Sequence, residues 1–480
     1  MNKIIIDNQK ETTRAAVMAD GLLTEFYTEK AALSNVGNIY IGRVVNVVMG
    51  IQAAFVDIGL KRNAYFNFGD ICVDKSQLDT VIDQVEYKQT LYIKEGDNVL
   101  VQVAKDESGA KGARITNNIT IAGRYLVLLP NMNYIGVSHK IEDSERKRLA
   151  EKIDGMRNKE HGYIIRTAAA LATKKQLQDD IDKLTAMWTV IKRRGENAQV
   201  QLIHKEDDLA ARIIRDILSN GDSVIVNTEQ LYERFLQQVE AIGIKCEVKL
   251  NNNGHDIFEL YGINDEIEKL MNKKVILKSG AYLIIDKTEA LTIIDINSGS
   301  FTESKNLEET AFATNIEASK EIVRQLKLRN IGGIVIVDFI DMEKEEHQQA
   351  VLEQLRELFK SDRIKTVVVG LTGLGLVEIT RKKSRNETTN FLKQECPFCK
   401  GEGWVYTEDY LISKIRVAIL EILENSDAKA VIVTLNPTVL EGHISAKRIM
   451  SLFSNVFPQK RIYVLTDNSM PYQEFKVTKA

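Results

Sequence analysis

The sequence predicts a multidomain protein built from α/β and all-β parts, and three stretches carry that prediction. Residues 290–341 read as strand, helix, strand: the apolar run Ala290–Asn297, a helical segment from Glu308 to Leu328, and the apolar run Ile334–Asp341. Residues 37–117 change texture to short strands broken by frequent turn residues, the pattern of a five-strand barrel. Residues 207–275 alternate helix, strand and helix again. A chain of 480 residues has room for three or four such cores at about 100–200 residues each.

Whole-chain properties exclude several classes. Hydrophobic residues make up 44% and charged residues 27%, the balance of a folded globular protein rather than a disordered or fibrous one. No apolar stretch approaches the ~18 residues of a membrane span, and Met1–Asp7 lacks the apolar core of a signal peptide. Of the four cysteines only Cys396 and Cys399 are closely spaced, which argues against an oxidised secreted scaffold and for the cytoplasm. The formal net charge of −3 gives no global attraction to nucleic acid, so any such binding rests on local patches.

In chain order, residues 1–36 read as a strand at Lys3–Ile6, a turn, and a strand around Gly21–Thr28, too small to hold a core alone. The barrel strands are Gly37–Val45, Ala53–Gly59, Asn63–Phe66 and Gly96–Val103, with the barrel closing near residue 117. Residues 118–206 open with Ile119–Pro130 and contain Tyr163-Ile-Ile-Arg166-Thr167, an apolar strand that ends in a phosphate-friendly pair. A guanidinium binds phosphate bidentately and a hydroxyl adds a further bond. Segments 141–160 and 173–195 read as charged amphipathic helices, with Trp188 in the core and Lys192–Arg194 a solvated face. His255 reads as an exposed loop residue.

The chemistry concentrates in 290–341. An ionised carboxylate beside a buried run is costly unless it is paired or holds a cation. Asp295 and Asp338 end two strands that can lie side by side, a hard oxygen site suited to Mg²⁺. Asn297, two residues on, shares the Asp295 face of the strand. Asp341 reads as a turn residue or helix cap, and Asn330-Ile-Gly332-Gly333 as the helix stop. The knuckle Cys396-Pro-Phe-Cys399-Lys-Gly-Glu-Gly403 supplies two thiolates where structural zinc takes four ligands. Cys72 and Cys246 are solitary, so the arithmetic points to two chains giving two thiolates each. Residues 409–480 read as a small α/β piece: helix Leu411–Glu424, strand Ala430–Leu435, helix Leu440–Phe453 and strand Arg461–Thr466.

Thr292–Ser298, Glu308–Phe312, Arg324–Arg329, Gly332-Gly333 and Asp338–Met342 together resemble the catalytic core of the ribonuclease E/G family. The resemblance implies a DNase I-like catalytic domain over 271–394, an S1 (OB-type) barrel over 37–117, a 5′-sensor region over 118–206, and an RNase H-like subdomain split between 1–36 and 207–270. A zinc link over 395–408 and a small C-terminal domain over 409–480 complete it. The function implied is Mg²⁺-dependent endonucleolytic hydrolysis of single-stranded RNA, in RNA processing and decay, leaving 5′-phosphate and 3′-hydroxyl ends. Asp295 and Asp338 would bind Mg²⁺, with Asn297 supporting the first. Phe55 and Tyr65 would stack bases and Lys111 contact the RNA backbone. Arg166 and Thr167, with backbone near Gly123 and Val127, would hold a 5′-monophosphate. Cys396 and Cys399 would share Zn²⁺ with a second chain in a homodimer, dimer versus tetramer being open. Two departures from the family pattern stand out. His139 follows Ser138 where an arginine is usual, so charge there depends on pH, and Gly373 stands at another arginine position, leaving Arg381, Lys382 or a group elsewhere to hold phosphate. The chain stops at Ala480 without the long Arg- and Pro-rich tail of some members, which implies neither a degradosome scaffold tail nor a membrane anchor. The alternative is a non-catalytic S1-domain RNA-binding protein with a vestigial metal site; a zinc-held scaffold is a third reading.

Overall fold

Asp20 and Gly21, both at positive φ, make the two-residue turn that joins the second and third strands of the chain. Residues 2–30 thus form three antiparallel strands, β1 (Asn2–Asn8), β2 (Thr12–Ala19) and β3 (Leu22–Lys30), where the sequence suggested two and a turn. The Thr12–Ala19 run is rich in alanine, a poor strand former, so it carried no strand signal. Its Ala15, Ala16 and Val17 are buried all the same. The computed structural model describes residues 2–9, 11–30, 34–68, 93–107, 111–196, 198–299, 307–383, 387–394, 396–399, 401, 403–442, 444–452, 458–472 and 474–480. Cys72, Lys400, Glu402 and Phe453, all read from the sequence above, lie outside them. Contacts divide the chain into two units, Met1–Thr389 and Asn390–Ala480.

In the first unit, β4 (Ile39–Val48), β5 (Ala53–Asp57), β6 (Ala64–Asn67), β7 (Asn98–Lys105) and β8 (Arg114–Thr116) close into a five-strand barrel, with β4 pairing both β5 and β7. Val44, Val56, Phe66, Val101 and Ile115 fill it. A second sheet, in the order β11-β12-β10-β9, comprises β9 (Ile121–Ala122), β10 (Leu126–Leu129), β11 (Ile135–Val137) and β12 (Gly162–Ile165). It packs with α1 (Asp143–Asp154) and α2 (Lys174–Gly195) around a core that includes Trp188. Thr173 and Gln176 start α2 with a reciprocal capping box. The next strand, β13 (Gln201–His204), pairs with β4 and so returns the chain to the barrel.

There follow α3 (Leu209–Asp216), β14 (Ser223–Val226), α4 (Glu229–Ile242), β15 (Glu247–Leu250), α5 (Ile257–Leu260) and α6 (Ile263–Lys269). One five-stranded sheet, β15-β14-β1-β2-β3, joins them to the N-terminal strands. The last sheet of the unit runs β16-β17-β18-β19-β21-β20. Its elements in chain order are β16 (Lys274–Ile276), β17 (Tyr282–Lys287), β18 (Leu291–Asn297), α7 (Leu307–Leu328), β19 (Gly333–Asp338), α8 (Glu345–Lys360), β20 (Thr366–Leu371) and β21 (Val377–Arg381). Both helices cover one face. Ile294, Ile296, Val335 and Val337 point into a core with Ile322, Leu326, Val351 and Leu355. The alternate residues Ile293, Asp295, Ile334 and Asp338 therefore face out and are exposed. Asn330, at φ 50°, makes the left-handed stop after α7.

Arg381 departs from its sequence reading. It is the last residue of β21 and only 4% exposed. Its Nε donates to Asp362 Oδ2 at 2.8 Å and its Nη1 to the Ile331 carbonyl at 2.7 Å. The guanidinium is consumed in tying β21 to the ends of α7 and α8, so it is not an RNA contact. Burial pushes the Asp362 carboxyl up, but the Arg381 guanidinium outweighs it and holds that carboxyl below its ordinary value.

The helix α9 (Thr388–Leu392) falls at the boundary between the units. The second unit contains α10 (Glu408–Glu424), β22 (Ala430–Leu435), α11 (Pro437–Gly442), α12 (Ala446–Met450), β23 (Arg461–Thr466) and β24 (Phe475–Lys479). Its sheet is β23-β22-β24. The single helix expected over Leu440–Phe453 is instead α11 and α12, and β24 had no counterpart in the sequence reading. Among the described residues no helix is long and apolar enough to cross a membrane.

Removing one partner of a buried ion pair leaves the other uncompensated, which costs about 3–5 kcal/mol. Asp362→Ala should therefore lower unfolding stability by about that amount in denaturant titrations. Because the folded carboxyl is depressed, its contribution is complete above the unfolded value of about 3.9 and is lost as pH falls through the lower folded value. A variant with the parent's stability from pH 7 down to 3 (roughly the range set by those values) would contradict this role.

Candidate active site

Asp295 and Asp338 occupy directly paired positions on the adjacent parallel strands β18 and β19. Paired residues on neighbouring strands stand about 5 Å apart, and both side chains leave the same, solvent-facing side of the sheet. Asn297 Nδ2 donates to Asp295 Oδ2 at 2.8 Å, engaging one of the two carboxylate oxygens. Two acceptor-only carboxylates at this spacing suit one hard divalent cation. Among the described residues no group of three or more His, Cys, Asp or Glu side chains is placed to hold a metal. An octahedral ion held by one or two carboxylates, with water and substrate oxygens completing its shell, does not require one.

The hairpin between β20 and β21 flanks this edge. Thr372 closes it: its N–H donates to the Leu376 carbonyl at 2.8 Å and its hydroxyl accepts from Leu374 and Leu376 N–H. Gly373 sits exposed at the tip, with nothing within 4 Å of where a Cβ would project. An arginine would fit there, so its absence is a choice of chemistry rather than of space. Lys382 is exposed, but it follows Arg381, which pairs with Gly333 at the far end of β19 from Asp338, so it does not flank the two carboxylates.

At the end of β12, Arg166 and Gly123 are in direct contact, Arg166 Nη1 donating to the Gly123 carbonyl. Its Nη2 pairs with Asp216 Oδ1 at 2.7 Å. Burial raises the Asp216 carboxyl, yet Arg215 and Arg166 together hold it below its ordinary value. Thr167 is exposed, its hydroxyl 3.3 Å from that of Ser138. Val127 is half-buried on β10, paired with Ile164 two residues before Arg166. Sequence reasoning missed what shapes this corner. The buried Asp180 of α2 accepts from the Tyr125 and Leu126 N–H groups at 2.9 and 3.0 Å. A Cβ on Gly123 would lie 2.6 Å from Asp180 Oδ2, so this glycine serves close approach. His139, beyond Ser138, is 2.9 Å from Arg146 through its Nδ1.

On the barrel, Phe55 and Tyr65 are a cross-strand pair with ring centroids 6.2 Å apart, edge to face and half-exposed. Lys111 is exposed, three residues before Arg114, which pairs with Tyr65. A Cβ on Gly112 would meet the Asn63 carbonyl at 2.2 Å, and the Ala113 carbonyl accepts from Tyr65 N–H at 2.7 Å. In the second unit, N–H groups of Cys399 and Phe398 hold the exposed Cys396 thiol below its ordinary pKa, an environment that favours thiolate. Phe398, between the two cysteines, packs edge-on against Tyr472 at 5.0 Å.

Exposed paired carboxylates at the end of two strands, with an aromatic barrel in the same unit, are compatible with a nuclease, and comparison with known proteins gives the class. Residues 120–384 match the ribonuclease E/G family. The chain is 38% identical to ribonuclease G of Salmonella typhimurium (strain SL1344) over 488 residues, covering 99% of both chains. It is 38% identical to ribonuclease G of Escherichia coli (strain K12) over 489 residues, again 99% of both. Against ribonuclease E of the same strain it is 33% identical over 439 residues, 89% of this chain and 41% of that one. The chain belongs to the ribonuclease E/G family, whose members are endoribonucleases.

If the Phe55–Tyr65 pair stacks bases, Phe55→Ala or Tyr65→Ala should weaken binding of a short single-stranded RNA by about 1–3 kcal/mol each. Tyr65→Phe should bind as the parent does, because the ring face survives. Fluorescence anisotropy at fixed salt reads this, and parent-like affinity in both alanine variants would remove the barrel from the RNA path.

Proposed function

We propose that this protein is an Mg²⁺-dependent endoribonuclease that cuts single-stranded RNA and prefers 5′-monophosphorylated ends. The in-register pairing of Asp295 with Asp338, oriented by Asn297, carries the reading. Bound between these carboxylates, the ion supplies charge neutralisation at the scissile phosphate and a water of lowered pKa. The chain's own residues do the rest. Asp295 and Asp338 present their oxygens on the open face of the sheet, where an extended strand can reach them. Asn297 keeps Asp295 from rotating away. Phe55, Tyr65 and Lys111 hold the strand by base faces and backbone charge. Attack of water on phosphorus with departure of the 3′ oxygen would leave a 5′-phosphate and a 3′-hydroxyl.

Arg166, Thr167 and the backbone about Gly123 and Val127 form the 5′-phosphate site in this reading. Arg166 and Thr167 offer donors suited to a terminal phosphate dianion, for which Asp216 is a standing competitor. Cys396 and Cys399 hold Zn²⁺ together with the same pair of a second chain, giving a homodimer that can assemble further. The thiolate-favouring setting of Cys396 supports that, and the close spacing of only two of the four cysteines supports a cytoplasmic location. The work of the protein is then RNA processing and decay.

Asp295→Asn and Asp338→Asn should each reduce cleavage of a 5′-monophosphorylated single strand by about a thousandfold or more, the effect of several kcal/mol of lost charge stabilisation. Binding measured in chelator should stay within about twofold of the parent, since the stacking and backbone contacts are untouched. Parent-like turnover in both variants would sink the metal assignment; a parent that binds but never cuts would favour the non-catalytic reading. Arg166→Ala should bring the ratio of cleavage on 5′-monophosphate and 5′-hydroxyl substrates to unity. A parent ratio already at unity, or one unchanged by the substitution, would remove the sensor.

A further inference from the structure

The ladder that fixes β19 stops where the candidate ligand begins. Asp338 pairs with Asp295 on one side, while on the other the pairing with β21 ends at Val337 opposite Val377. Residues 339–344 have no strand partner, so the direction in which the backbone leaves Asp338 must be set by another element. That element is α7.

Asn315, fully buried on α7, donates Nδ2 to the Ile340 carbonyl at 2.7 Å and accepts the Ile340 N–H on Oδ1 at 3.1 Å. These are the two bonds a neighbouring strand would make, supplied by a side chain. Two turns earlier, the Glu308 carboxylate accepts from Glu343 N–H at 2.8 Å and Lys344 N–H at 3.2 Å. It also meets His347 Nδ1 at 2.7 Å, and that ring stacks on Phe312 at 4.2 Å between centroids. Positions 308, 312 and 315 share one helix face. The neighbouring buried hydroxyls of Thr314 and Ser319 bond back to carbonyls of α7 itself. Around Asn315 the core is apolar, with Ala311, Ala318 and Ile322 on the same helix. A buried amide is costly unless it is bonded, so its place here is explained by the two bonds it makes across to the strand end.

We propose that Asn315 is a positioning residue: by clamping Ile340 it aims the Asp338 carboxylate at the shared ion, with Glu308 holding the far end of the same loop. The proposal rests on the reading of Asp338 as an ion ligand. Loss of an outer partner of a metal ligand costs about 10–100-fold in metal affinity. Asn315 acts two residues away from the ligand, so Asn315→Ala should sit at the low end of that range. It should weaken Mn²⁺ binding followed by electron paramagnetic resonance and raise the Mg²⁺ concentration for half-maximal cleavage by about tenfold, with a smaller fall in rate at saturating Mg²⁺. Single-strand binding in chelator should be unchanged, which shows that the variant is folded. Glu308→Gln, which keeps one acceptor oxygen, should shift the Mg²⁺ curve in the same direction by less, and it carries the test should Asn315→Ala fail to fold. The proposal is overturned if a folded Asn315→Ala, or failing that Glu308→Gln, follows the parent's Mg²⁺ curve while Asp338→Asn is inactive. If Asp338→Asn itself cleaves like the parent, the ligand reading falls and the proposal with it.

Discussion

Two carboxylates side by side repel each other, and the sheet that carries Asp295 and Asp338 holds them that way. At roughly 5 Å the repulsion is about 1 kcal/mol in water and grows as water is excluded. A protein can impose that cost only where the backbone is fixed by something stronger. Here the fixing comes from β18 and β19 in register, with α7 and α8 sealing their inner face through Ile294, Ile296, Val335 and Val337. The alternation that buries those residues necessarily turns Asp295 and Asp338 outward. Packing and site geometry are thus one consequence of one strand pair.

Other parts of the first unit extend the same logic to the substrate. Several parts of the proposed site sit at an element end or a turn where the backbone is held from behind. Asp180 braces the turn carrying Gly123, Gly112 closes onto Asn63 next to Lys111, and Thr372 closes the hairpin that carries Gly373. Rigid placement matters because a site misplaced by about an ångström loses most of its benefit. The same need accounts for a polar face on α7, a helix otherwise sunk in the core.

Much of this was legible in the sequence, for a physical reason. β18, β19 and α7 come from long runs with a clear period, and an Asp at the end of each strand is a local feature. The residues that failed to read correctly have distant partners. Arg381 lies in a run of basic residues that looks like a surface, yet Asp362 draws it inside. β2 is an alanine-rich strand made possible by β1 and β3 on either side, and β24 pairs with β22 rather than with β23, which precedes it directly. Asn315 and Asp180 look like ordinary helix residues until the strand end and the turn they brace are in place. Local pattern shows which elements form; it does not show which side chain reaches across to another element.

The central claim is that Asp295 and Asp338 share one divalent cation, and direct observation of that ion is its sharpest test. Mn²⁺ titrated into the full chain and followed by electron paramagnetic resonance should reveal a bound ion that Mg²⁺ displaces, and that disappears in Asp338→Asn and in Asp295→Asn alike. Mn²⁺ bound equally well by the parent and both variants would place the ion elsewhere and contradict the account.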